Sequence, residues 1–298
     1  MGGDPVNERR VIAHDSPAVR NVPLRPRAWQ QILNADATEA VETDGGELAL
    51  AMLDGQLQLL FAFESMETMK AGLPPMWKAL HKELKGFKVP YLRFDLAQFP
   101  VREWIDPMLD EIGFQPFGEW LELEHRELAE IAPPELPNNV QIRRATEADF
   151  DRIVAIEADA YEQYADGEVA TRARLAAAAW VGVLVEDGNV VGYAINNAPE
   201  ANIGRIVSAA IASEAWGIGL GVVMLQAAAY QLGTLGAKQS IVRARPSIPR
   251  SVATGIAAGF RAGRGGAEFR RTLDEKALAA RLKQRQFDGV KARFGNWR

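Results

Sequence analysis

The run Arg205-Ile-Val-Ser-Ala-Ala-Ile-Ala212, followed by Ser213-Glu-Ala-Trp-Gly-Ile-Gly-Leu-Gly221, decides how this chain is read. The first part is strand-like, and a helical run follows from Leu220 to about Leu232. That helix is apolar nearly all round, which predicts burial against a sheet. Glycines at alternate positions 217, 219 and 221 let the backbone approach a ligand closely. The start of the next helix aims unpaired N–H groups and a partial positive charge at the same place. A glycine run alone marks no more than a tight turn, but between strand and helix it makes a cradle for a diphosphate.

Two nucleotide folds use such a loop, and both lose ground here. A dinucleotide fingerprint needs a third glycine at the sixth position and an acid about twenty residues on. Position six after Gly217 is Val222, and the region around Gln239 holds no acid. A P-loop ends in Gly-Lys-Ser or Gly-Lys-Thr, whereas this loop ends Gly221-Val222-Val223.

What remains resembles the acyl-CoA loop of the GNAT acetyltransferases, in which Arg or Gln, two free positions, Gly, one free position and Gly or Ala join the fourth strand to the third helix. Gly219 and Gly221 match, and Trp216 stands at the Arg or Gln position. Downstream, a strand (Gln239–Arg245), a short helix (Arg250–Ala258) and Gly259-Phe260 are similar to the family's closing pattern. Upstream, Val140-Gln-Ile-Arg-Arg-Ala-Thr-Glu-Ala-Asp-Phe150 resembles its first strand running into a capped helix, with Thr146 and Asp149 as the capping pair. The three marks span about 140 to 273 in family order.

The resemblance implies acetyl-CoA as acyl donor, no metal, and direct transfer to a primary amine on a small molecule or peptide. It places the donor on Ala209, Ala210 and Ile211, on Trp216, Gly217, Ile218, Gly219, Leu220, Gly221 and Val222, and on Arg250 and Ser251. Two departures thin the chemistry: Ile248 aligns with the family's usual Asn, and Gly255 with the Tyr used as leaving-group acid. Ser247 and Ser251 are the hydroxyls placed to substitute, although Ser251 is equally a helix-start residue bonding local backbone. No carboxylate lies on the fourth strand, so Glu200 just before it is the candidate base, with Glu186 and Tyr193 behind. A competing reading is a CoA-binding sensor or structural protein that kept the loop and lost the acid.

A length of 298 residues suggests two domains. Net charge −5 and a pI near 5.5 argue against nucleic acid as partner. The basic stretch after Phe269 (Arg270, Arg271, Arg281, Lys283, Arg285, Lys291, Arg293, Arg298) reads as a solvated helix face. With no cysteine, thiolate metal sites and thiol nucleophiles are excluded. His14, His81 and His125 are too scattered for a metal site, and Trp77, Trp104 and Trp120 read as packing residues or walls of a substrate cleft. Neither a signal core nor a membrane-spanning run is seen, which predicts a cytoplasmic protein, monomer or homodimer.

Each half carries an Asp-Gly hairpin, at Asp54-Gly55 and Asp187-Gly188, and each ends in strand, helix and Gly-Phe. The expected class is therefore mixed α/β (α+β): two tandem GNAT-like domains, each a mostly antiparallel twisted sheet flanked by helices, similar in architecture to mycothiol synthase. The expected divisions are 1–130 (degenerate), a Pro- and Asn-rich linker 131–139, and 140–298 with a C-terminal helical tail. Matched on those hairpins, 58 positions separate Gly55 from Gly113 and 71 separate Gly188 from Gly259. The shortfall falls at the cofactor loop, and Pro74-Pro75 there lack amide protons, so the first domain is expected to hold no catalytic CoA.

Overall fold

The computed structural model describes residues 19–24, 26–97, 103–280 and 283. Within them the chain forms two compact units, one of Asp54–Gln56 with Gly118–Ala267 and the other of the remainder. The divisions fall inside two strands, after Phe117 and after Ala267, while 131–137 is irregular chain within the second unit.

The first unit contains β1 (Val19–Arg20), α1 (Pro26–Leu33), β2 (Glu39–Thr43), β3 (Gly46–Leu53), β4 (Gln56–Phe63), α2 (Met66–Leu80), β5 (Tyr91–Ala97), α3 (Asp106–Glu111) and the opening of β6 (Gln115–His125). β2 and β3 are antiparallel, and β4 runs parallel to β5. A parallel pair needs a crossover, which α2 supplies. All eight residues of β4 are buried, Gln56 and Gln58 among them, and from Leu59 to Phe63 it is a continuous apolar run. Ser65 caps α2, its Oγ accepting from Thr68 N–H at 3.1 Å while Thr68 Oγ1 accepts from Ser65 N–H at 2.9 Å.

The second unit contains the close of β6, then β7 (Val140–Arg144), α4 (Phe150–Tyr161), α5 (Glu168–Ala177), β8 (Trp180–Glu186), β9 (Asn189–Asn196), β10 (Ile203–Ile211), α6 (Leu220–Thr234), β11 (Gln239–Ala244), α7 (Pro249–Ala257) and most of β12 (Arg261–Thr272). Its strands follow the order β6-β11-β10-β9-β8-β7. β10 and β11 are parallel, and the pairs on either side are antiparallel. One face of this sheet packs on α6, through Ile206, Ile211, Met224, Ala228 and Leu232; the other packs on α4 and α5, through Ile153, Ile156, Leu175, Val183 and Ile195. The mixed α/β class and mostly antiparallel pairing agree with expectation.

Three sequence readings are corrected. The hairpin equivalent to Asp187-Gly188 is Asp44-Gly45, not Asp54-Gly55, because β4, α2 and β5 occupy the place of β10, α6 and β11 around the parallel pair. On that match 68 positions separate Gly45 from Gly113, close to 71, so the apparent gap vanishes. Pro74 and Pro75 lie inside α2, not at its start; what differs at the helix start is the connection itself, two residues (Glu64, Ser65) against eight (Ala212 to Gly219). Arg270 and Arg271 lie on β12, where Arg270 pairs with Glu268 at 2.6 Å; Arg281, Arg285, Lys291, Arg293, Arg298 and His14 lie outside the described residues.

The entry to α4 follows the predicted cap. Asp149 accepts from Thr146 N–H at 2.7 Å and from Nη1 and Nη2 of Arg143, at 2.7 and 2.8 Å. The Arg143 bonds, reinforced by those of Thr146, hold its carboxyl well below the usual carboxylate range. A depressed carboxyl contributes stability above its unfolded-state pKa, and that stability is lost as pH falls through the folded-state value. Asp149→Asn should therefore cost about 1–2 kcal/mol in urea unfolding at pH 7 and lose part of the wild-type decline below about pH 4; parallel acid profiles for the two proteins would contradict this.

Candidate active site

The site begins where a ladder ends. β10 and β11 are paired from Ile203 with Gln239 to Ile206 with Val242, and no further. At that point β10 bulges: Ile206 faces Asn196 and Ser208 faces Ile195, leaving Val207 extra. A bulge kinks and twists its strand. Beyond it Ala209, Ala210 and Ile211 part from Arg243 and Ala244, and a cavity of about 360 Å³ opens between the strand ends.

Alternation along β10 sets what this wall presents. Ala212 N–H donates to Val191 on β9 at 2.8 Å, so the main-chain groups of Ala210 turn to β9 and those of Ala209 and Ile211 turn the other way. Both of the latter carbonyls are already bonded, Ala209 O accepting from Tyr161 Oη–H and Ile211 O from Trp216 Nε1–H, each at 2.7 Å. The wall thus offers N–H groups to the cavity.

At the mouth, Gly217 and Gly219 both have φ of +88°, and Gly219 is the N-cap of α6. No atom lies within 4 Å of a Cβ built at either, so these two glycines serve backbone conformation. Gly221 serves packing: a Cβ there would stand 3.0 Å from Thr254 Cγ2. In the helix so started Val222 N–H donates to Gly219 O at 3.0 Å, so Leu220 and Gly221 carry the N–H groups at the cavity mouth. Trp216 occupies the position where the resemblance leads one to expect a basic or amide side chain. Arg250 of α7 restores a cation there, its guanidinium carbon 3.7 Å from the Trp216 ring centre.

Of the residues singled out in the sequence, Ala209, Ala210, Ile211, Trp216, Gly217, Gly219, Leu220, Gly221, Val222, Arg250 and Ser251 all line this cavity. Ile218 is 62% exposed and lies outside its wall. Ser251 Oγ bonds the main chain of Arg245 at both N–H and O, at 3.1 and 3.2 Å. Ser247 is exposed and donates to Tyr164 Oη at 3.0 Å. Glu200 sits in the tight turn before β10, bridged to Ile203, with about 20 Å of strand between Ile203 and Ala209. Gly255 packs under Leu123, whose Cδ1 would lie 2.2 Å from an added Cβ, which leaves no room there for a larger side chain.

Of a buried polar cluster beside the cavity the sequence reading named only Tyr193. Tyr161 lines the wall, and behind it stand Ser208, Glu157, Tyr193 and Arg174. Ser208 Oγ–H donates to Glu157 Oε2 at 2.8 Å, and Tyr193 Oη bonds both groups. Arg174 lies 3.5 Å from Glu157 Oε1 and also pairs with Asp166. The signal was present: Glu157 interrupts the apolar stripe Ile153, Ile156 of α4, one turn before Tyr161. Among the described residues no group of His, Cys, Asp and Glu could hold a metal ion. His81 bonds Lys78 O, and His125 packs edge-on against Phe260.

Residues 141–249 match the model of the acetyltransferase (GNAT) family. The likeness to that family covers 109 of the 298 residues. Solved structures extend the likeness over most of the chain. A GCN5-related N-acetyltransferase from Kribbella flavida aligns over 82% of this chain and 93% of its own at 17% identity and TM-score 0.56. Another, from Sphaerobacter thermophilus, aligns over 83% and 85% at 12% identity and TM-score 0.55. A tandem GNAT protein from the clavulanic acid biosynthesis pathway aligns over 80% and 84% at 14% identity and TM-score 0.54. At these identities the likeness is one of fold. Comparison with curated proteins by sequence gave no match. No helix among the described residues is long and apolar enough to cross a membrane.

The part Gly219 plays in the cradle can be separated experimentally from backbone strain alone. Gly188, in the β8–β9 turn, also has positive φ and open space around it, so an alanine there carries a similar local strain. Gly219→Ala should weaken acetyl-CoA binding about tenfold in calorimetric titration, the equivalent of about 1–2 kcal/mol of strain at the cradle. Gly188→Ala should leave binding unchanged; equal effects of the two changes would contradict the assignment.

Proposed function

We propose that this chain is an acetyl-CoA-dependent N-acetyltransferase that moves the acetyl group directly to a primary amine of a small molecule or peptide within a ternary complex. The observation that carries this reading is the open end of the β10–β11 ladder, with the N–H groups of Ala209 and Ile211 facing a cavity whose mouth is the glycine cradle. The cradle fits a diphosphate through main-chain N–H groups at the start of α6, with Arg250 as the nearby charge. The strand amides fit a thioester carbonyl and would stabilise negative charge developing on its oxygen.

Direct transfer is supported by the absence of cysteine, which removes any thiol to carry the acetyl group. Departure of CoA proceeds here without a dedicated side-chain acid, since Gly255 is packed and Ser251 is engaged by Arg245. A thiolate leaves readily enough for this, because its conjugate acid has a pKa of only about 8–9. We further propose a tandem pair of GNAT-like domains with one acetyl-CoA per chain. In the first unit the two-residue connection leaves no room for a glycine loop, and the Thr68 N–H at the start of α2 is bonded by Ser65.

Two measurements test this. Calorimetry should find one acetyl-CoA per chain, and a second equivalent site would contradict the asymmetry between the units. A thiol-reactive dye, free of background from this cysteine-free protein, should report release of CoA when a panel of primary amines is added. Binding without release across the panel would instead identify a CoA-binding sensor.

A further inference from the structure

The polar cluster behind Tyr161 is costly to bury and forms no part of the donor cradle, which raises the question of what it does. Glu157 is 3% exposed, Ser208 6% and Tyr193 fully buried. A buried carboxylate is expensive unless it is paired and hydrogen-bonded. The bulge at Val207 brings the cluster together. Val207 packs with the apolar residues beneath α4, and Ser208, next in the chain, also turns to that side to reach Glu157. Strict alternation would have sent Ser208 to the α6 side with Ile206.

We propose that Tyr161, Ser208 and Glu157 form a proton relay that strips the acceptor ammonium of its proton, with Tyr161 touching the amine and Glu157 receiving the proton through Ser208. This rests on the acetyl-transfer reading above and adds the base that Glu200, at the far end of β10, is poorly placed to supply. Tyr161 Oη–H donates to Ala209 O at 2.7 Å, at the wall where a thioester would lie, and Ser208, the residue before Ala209, stands beside the same phenol. In the step, the Tyr161 hydroxyl turns its proton from Ala209 O to Ser208 Oγ; R–NH3⁺ then gives a proton to Tyr161 Oη as the phenolic proton passes to Ser208 Oγ and the seryl proton to Glu157 Oε2. The freed nitrogen lone pair attacks the thioester carbonyl carbon, a C–N bond forms, and the C–S bond breaks to release CoA thiolate. The new amide nitrogen loses its second proton to that thiolate, and Glu157 returns its proton to solvent by the same path. The sum is R–NH3⁺ and acetyl-CoA giving R–NH–acetyl, CoA–SH and H⁺.

The groups facing Glu157 are Arg174 from α5, Asp166 from the chain before it, Tyr193 from β9, Ser208 from β10 and Tyr161 from its own helix. Burial raises the Glu157 carboxyl above its ordinary value, against the opposing pull of Arg174 and Ser208. Burial likewise pushes Tyr161 up to about 12, so it hands protons on as a neutral phenol.

The test uses two probe amines with the full-length protein. n-Butylamine is protonated at neutral pH and needs a base; methoxyamine is already neutral. Glu157→Gln should slow acetyl transfer to n-butylamine about 100-fold more than transfer to methoxyamine. It should also shift the n-butylamine pH–rate profile toward higher pH, with the dissociation constant for acetyl-CoA unchanged. Ser208→Ala keeps the Glu157–Arg174 pair and should give the same selective loss, which covers the case in which Glu157→Gln fails to fold. If both amines slow equally in the variants, or the profiles coincide with wild type, the relay is overturned while the transfer reading stands. If wild type binds acetyl-CoA yet releases no CoA with either amine, the transfer reading falls and the relay with it.

Discussion

The parallel pairing of β10 with β11 ends after four residue pairs, and the rest of the site depends on that ending. A longer ladder would consume the main-chain N–H groups of Ala209 and Ile211 and close the cavity. The bulge at Val207 has two consequences at the same point: it turns β10 away from β11, and it sends Ser208 to the α4 side. A single extra residue thus separates the strands for a ligand and assembles the polar cluster beside the gap.

α6 fixes the other end of the site. It is buried along Leu220, Met224, Leu225, Ala228 and Leu232, and Asn196 of β9 donates to Ala228 O at 2.8 Å. A helix seated so firmly holds its first turn still, and preorganised donors stabilise charge at little reorganisation cost. The glycines at 217 and 219 then let the preceding chain enter at positive φ. The first unit repeats strands, crossover helix and parallel partner, but its β4 enters α2 through two residues and a serine cap. The same topology yields a cradle in one unit and a closed helix start in the other, and the difference lies in the length of one connection.

The elements that carry local signals were legible in the sequence. α6 was read as Leu220 to about Leu232 and is observed to Thr234; β11 and α7 fall within a residue or so of expectation, and the Thr146–Asp149 cap holds. The matching of hairpins was misread because Asp44-Gly45 is followed by a second glycine and flanked by the charged strand Glu39–Thr43, whereas Asp54-Gly55 sits between longer apolar runs. Turn chemistry marks a hairpin but does not say which one precedes a crossover. The division of β6 and β12 between the units had no local signal, since pairing partners are chosen over long separations. The polar cluster was missed for a related reason: Glu157, Arg174 and Ser208 come from three elements, and a bulge decides which way Ser208 turns. Even so, an acid on the apolar stripe of α4 and an arginine among the buried residues of α5 were visible as anomalies.

The central claim is that a donor's diphosphate rests on the start of α6 while its acyl carbonyl meets the amides at the end of β10. A crystal structure of the full chain with acetyl-CoA measures both at once. The account predicts the diphosphate at Gly219 to Val222 with Arg250 beside it, and the thioester oxygen within hydrogen-bonding distance of the Ala209 or Ile211 N–H, next to Tyr161. A donor seated elsewhere, or with its thioester away from the β10–β11 gap, would contradict it.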